Sequence, residues 1–183
     1  MRWPDNILVL SAAILAVFWQ SAFHGVRHLL GAQLDVLPPL MVYAALRCRL
    51  STVITLALGG GVLFDSLSAN PLGISVLPLF VAGLVIFVNR ELIMRDQIFA
   101  QAFLGFCVSL AVPACTLLLL LTMGHSPLVG WGTWWQLLVL GLGGAIAVPL
   151  WSVAFEWLHR TFAYGRTRVA SFRPDREIRR GRL

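Results

Sequence analysis

Six apolar runs take up most of this chain, at residues 7–23, 36–46, 51–64, 74–88, 98–122 and 134–158. A helix that crosses a bilayer needs ~20 residues at ~1.5 Å rise each. The first, fifth and sixth runs meet or approach that length. The second, third and fourth are shorter, so they must borrow flanking residues or thin the bilayer. Only 12% of the residues are charged and the mean hydropathy is +0.83. A water-soluble chain of 183 residues could not bury so much apolar surface. The pattern therefore predicts an all-α membrane protein, a single six-transmembrane-helix bundle over residues 1–160. A cytoplasmic arginine-rich tail, disordered or lying on the membrane surface, is expected over 161–183.

Charge gives the bundle an orientation. Every basic residue is arginine, and six spans put both termini on one side. That side holds Arg2, Arg47, Arg49, Arg90, Arg95 and eight arginines from Arg160 to Arg182. The opposite side holds Arg27 alone. The positive-inside rule then places both termini in the cytoplasm of a multi-pass inner-membrane protein. If run 36–46 did not span, the Arg47/Arg49 loop would move outside and the asymmetry would degrade, so it is counted as a span. The first run exceeds the ~7–15 residues of a secretory h-region, and no clear A-x-A site follows it. It is read as a retained helix. Cys48, Cys107 and Cys115 lack metal-ligand spacing and read as small apolar packing residues in a reducing setting.

The densest unusual stretch runs from Gly59 to Gly73, reading GGGVLFDSLSANPLG. Three consecutive glycines weaken a helix by roughly 1 kcal/mol each in water. In lipid that loss is offset where another backbone packs close. Gly59, Gly60 and Gly61 are thus either a plain packing notch or a groove for a partner helix. Asp65 falls at the outer end of the third span, where it is either solvated or buried and paired. Asn70, Pro71 and Gly73 favour a tight turn, and Ser66 and Ser68 can bond local backbone. The unit reads as a short, rigid outer hairpin.

A glycine-rich third helix, then Asp65, Ser68, Asn70 and Pro71-Leu72-Gly73, resembles the central signature of the MreD family of rod-shape-determining membrane proteins. Pro38 and Pro39 opening a short helix that bears Tyr43 resemble it as well. The likeness in hydropathy covers about residues 5–160, and its specific part is some fifteen residues. The Arg tail is not part of the family pattern. The resemblance implies a fold similar to the six-helix membrane subunits of energy-coupling-factor vitamin transporters. It implies a scaffold of the bacterial elongation machinery, the elongasome, which organises lateral peptidoglycan synthesis and regulates cell shape. The implied partners are an MreC-like bitopic protein and, indirectly, an MreB-like filament and a RodA/penicillin-binding-protein synthase.

Other features carry competing readings. Ala12 and Ala16 form a small-xxx-small pair, either intrachain packing or a docking face for a partner helix. Glu156 and His159 share a helix face, and with Trp151 and Trp157 they read as an interfacial belt rather than a proton relay. Trp131, Trp134 and Trp135 form the matching outer belt. His24 and His28 are spaced to share a metal, but no third ligand lies near, so an amphipathic surface stretch is preferred. Asp35 marks the water boundary before Pro38. Pro113 and Pro149 can kink their helices. Gly141, Gly143 and Gly144 offer a second close-packing surface. Within the tail, Arg166, Arg168, Arg173, Arg176, Arg179, Arg180 and Arg182 suit an anionic leaflet.

No nucleophile elbow, P-loop, HExxH or nucleic-acid motif is visible, so an enzyme or nucleic-acid binder is not expected. No cofactor is expected either. The preferred expectation is a non-enzymatic scaffold that works by helix docking. The alternative is the substrate-binding membrane subunit of an energy-coupling-factor type vitamin transporter, which would need an outer pocket of polar and aromatic side chains.

Overall fold

The computed structural model describes residues 3–22, 35–68, 71–93, 97–124 and 130–163. Among them every regular element is a helix. In chain order these are α1 Trp3–Ala22, α2 Leu37–Arg47, α3 Leu50–Leu67, α4 Val76–Asn89, α5 Ile98–Thr122 and α6 Trp131–Ala163. Three of them, α3, α5 and the Trp131–Leu158 part of α6, are long and apolar enough to cross a membrane. Residues 1–152 form one compact unit and residues 153–183 a second. The second holds the end of α6, which runs past residue 160 to Ala163. The seven tail arginines, His24, Arg27, His28, Asn70 and Arg95 lie outside the described residues.

The first unit is organised around its shortest helix. Pro38 and Pro39 sit in the first turn of α2, where a missing N–H costs nothing and a fixed φ helps. Every residue from Leu37 to Leu46 is buried. α2 packs against α1, α3, α4 and α5, and α4 in turn packs against α3 and α5. The 11 residues of α2 cover roughly 16 Å, about half the apolar thickness of a bilayer. Of the two expectations for run 36–46, that it borrows flanking residues or thins the bilayer, the helix bounds do not support the first. Cys48 has extended backbone and closes the helix through its N–H to Ala44 O, 2.7 Å. With protein on all sides, α2 need not match lipid.

α1 buries Val9, Ala13 and Val17 and leaves Ile14, Leu15, Phe18 and Trp19 exposed. Ala12 and Ala16 flank the buried stripe and are half-buried. Ala13, between them, is the buried residue of this face. At the end of α1, Gln20 Nε2 donates to Asp35 Oδ1 at 2.8 Å, and Gln20 Oε1 accepts the Val36 N–H at 3.1 Å. One amide thus ties α1 to the start of α2.

α5 and α6 meet through small residues. A Cβ on Gly105 would strike the Gly144 carbonyl, and one on Gly144 would strike the Ser109 hydroxyl. Gly141 faces Phe106 and Leu110. Ser152 Oγ donates to the buried Gln101 Oε1 at 3.0 Å, one turn and more beyond the crossing. Lipid tails supply no hydrophobic drive between helices, so close backbone approach and such hydrogen bonds hold the pair. The cysteines divide: Cys48 is buried, whereas Cys107 and Cys115 are exposed on α5 and pack no core, which corrects that part of the sequence reading.

Candidate functional site

Chain geometry around the GGG segment begins with a change of helix pitch. Residues Leu56–Gly60 wind as a π-helix, and Gly61 resumes the α form. A π segment inserts an extra residue into the turn and rotates the helix beyond it, and such segments gather at functional positions. The three glycines have separate environments. A Cβ on Gly59 would meet nothing within 4 Å. One on Gly60 would sit 2.9 Å from Leu37 Cδ1, the end of a side chain at the head of α2. One on Gly61 would sit 3.0 Å from Val76 Cα and 3.1 Å from Val76 N. Gly61 is therefore the point where the backbones of α3 and α4 touch, and the first residue of α4 occupies the space a side chain would need.

One turn later α3 delivers Asp65. The helix ends at Ser68, whose N–H bonds Phe64 O at 3.0 Å and whose hydroxyl donates to Asp65 O at 3.3 Å. Ser66 Oγ donates to Leu63 O at 2.8 Å. The Asp65 side chain turns inward and is only 1% exposed. Its Oδ2 accepts the N–H of Gly73 at 2.9 Å and of Ser75 at 3.1 Å. Ser75 is the residue before α4, and no side chain of α4's own start caps that helix. Asp65 supplies this cap from the preceding helix. It satisfies orphan donors and places a negative charge near the positive end of the α4 dipole. Oδ1 has no hydrogen-bond partner among the described residues.

The turn between them is shaped to receive the carboxylate. Gly73 has φ +90°, a conformation that strains any residue with a Cβ. It points its N–H at Asp65 while Ile74 N bonds Pro71 O and Val76 N bonds Gly73 O, both at 3.3 Å. Leu72 at the tip is exposed. Of the motif residues, Gly61, Asp65 and Gly73 thus meet in one structural unit with Ser75. Ser68, Pro71 and Leu72 form the connecting turn.

The other sequence candidates lie elsewhere. Trp131, Trp134 and Trp135 are exposed around the start of α6, and Glu156 and Trp157 are exposed near its end. Asp35 is half-buried beside Gln20; burial pushes its carboxyl up to about 6, against the opposing pull of the Gln20 hydrogen bond. No group of three or more His, Cys, Asp or Glu side chains able to hold a metal occurs among the described residues. Sequence reasoning missed Ser75, Gly83 and Gly105. Gly83 lets α4 approach Met41 and Val53, where a Cβ would come within 2.9 Å of Met41 Sδ. Nothing in a single apolar helix marks such a glycine as a contact.

No family model matches the chain, and no curated protein or solved structure matches it.

Proposed function

We propose that this chain is a non-enzymatic scaffold of the MreD type in the bacterial inner membrane. It crosses the membrane six times with both termini in the cytoplasm. α2 and α4 cross as short helices, α2 entirely within protein. The protein helps organise lateral peptidoglycan synthesis through an MreC-like bitopic partner, which docks by its single helix. The MreB-like filament and the RodA/penicillin-binding-protein synthase are reached indirectly.

The observation that carries the reading is the bond from Asp65 to the Gly73 and Ser75 amides. It gives Gly61, Asp65 and Gly73 of the family-like signature one common role, to hold α3 and α4 together as an outer hairpin. The arginine distribution supports the orientation. The exposed apolar faces of α1 and α3, including Phe18, Trp19, Leu58 and Val62, offer surface to lipid or a partner helix.

Co-purification from native membranes tests the reading. It should recover an MreC-like bitopic protein, and depletion of the chain should round the cells. Recovery of an energy-coupling ATPase module, or tight binding of a vitamin, would overturn it.

A further inference from the structure

We propose that the α2–α3 turn and the end of α4 form a binding site for the phosphate of an anionic phospholipid headgroup. Arg90 follows the last residue of α4. Its guanidinium lies 4.2 Å over the Phe87 ring, and Nη1 donates to the Cys48 carbonyl at 3.3 Å. It is therefore held in place from two directions. Cys48 is buried and lies between Arg47 and Arg49. The Arg90 guanidinium is thus brought to the backbone of the turn whose flanking residues are Arg47 and Arg49.

The position favours a phosphate. Arg49 is exposed and precedes α3, whose first turn receives no side-chain cap. The positive end of the α3 dipole adds to the guanidinium charge. Glu91, the nearest acid in sequence among the described residues, is exposed.

The surroundings favour a lipid over a free anion. Leu50, Val88 and Leu92 are exposed at the same helix ends, at 37%, 69% and 84%. A polar headgroup site rimmed by apolar side chains suits an amphiphile, and basic pockets between helices at the cytoplasmic face bind acidic headgroups. The inference rests on the proposed crossing of the membrane, with this turn at its inner surface. It does not depend on the cell-wall partner.

Native mass spectrometry of the full chain tests it, using detergent-purified protein offered equal phosphatidylglycerol and phosphatidylcholine. The wild type should retain phosphatidylglycerol preferentially, and excess inorganic phosphate should leave it bound. Arg49→Gln should weaken retention about five-fold, and Arg47→Gln with Arg49→Gln further still. Arg49→Lys should restore it to within about two-fold of wild type, and Arg27→Gln, on the opposite side of the membrane, should change nothing. Helical circular dichroism checks that each variant folds. Equal retention of the two lipids, an unaffected Arg49→Gln variant, an equal loss in Arg27→Gln, or displacement by inorganic phosphate would each overturn the proposal. None of these outcomes bears on co-purification with a partner, so the two proposals fail separately.

Discussion

Asp65 and Gly73 are joined across eight residues by a 2.9 Å hydrogen bond from the Gly73 N–H to Asp65 Oδ2, and the same oxygen takes the Ser75 N–H. A carboxylate at the end of one helix thereby caps the start of the next. The bond needs Gly73 at φ +90° to aim its donor, and Gly61 to let Val76 come close.

Removing the carboxylate should uncouple the hairpin. Asp65→Ala leaves two backbone N–H groups without their acceptor in a buried site, a loss of about 3 kcal/mol. Asp65→Asn keeps an acceptor and loses the charge, at about 1 kcal/mol. Chemical denaturation in detergent should rank wild type above Asn above Ala. Equal stability of wild type and Asp65→Ala would refute the cap.

Alanine substitutions along the glycine triplet should separate cleanly. Gly59→Ala meets open space and gains about 0.5–1 kcal/mol from helix propensity. Gly60→Ala presses only on the end of Leu37 and should stay within about 1 kcal/mol of wild type. Gly61→Ala meets backbone and should cost about 2–3 kcal/mol. Gly60→Leu overfills the same contact and should disrupt bundle assembly or partner association. Thermal unfolding of the four variants measures the order.

At the α5–α6 crossing, two small changes should act in opposite directions. Gly144→Ala collides with the Ser109 hydroxyl and comes within 2.6 Å of the Gly105 carbonyl, so the helices must part, at about 3 kcal/mol. Ser109→Ala removes a buried hydroxyl that has no partner among the described residues, and should be neutral or stabilising by up to about 1 kcal/mol. Unfolding midpoints in detergent distinguish them.

Asp35 should make stability depend on pH. Its folded-state value of about 6 lies above the ordinary 3.8 because burial disfavours the charge. The folded state therefore binds this proton more tightly than the unfolded chain. The penalty is fully present above about pH 6 and is relieved as pH falls from there towards the ordinary value. Lowering pH from about 7 to about 5 should raise the melting temperature through this group. Asp35→Asn should flatten that dependence, and an unchanged pH profile in Asp35→Asn would contradict it.

Hydropathy located the helices well because bilayer thickness and apolar composition set their lengths. Run 98–122 coincides with α5, and run 134–158 lies inside α6, which begins three residues earlier at Trp131. The role of α2 was not legible. In lipid, a side chain facing a neighbour and one facing acyl chains are equally apolar, so composition could not show that Leu37–Leu46 is wholly enclosed. The same ambiguity hid Gly83 and Gly105. Asp65 stood out by residue type. Its partners did not, because they are backbone amides eight and ten residues away, and only the turn geometry brings them to it.

The path of the chain through the bilayer is the central claim. Single cysteines in a background lacking Cys48, Cys107 and Cys115 can be placed at Leu72 and Leu92, both exposed at turns. A third belongs at Ala170 in the tail. With an impermeant thiol reagent, Leu72→Cys should react in intact cells, while Leu92→Cys and Ala170→Cys should react only after permeabilisation. Labelling of Leu92→Cys or Ala170→Cys in intact cells, or protection of Leu72→Cys, would contradict the six-pass arrangement.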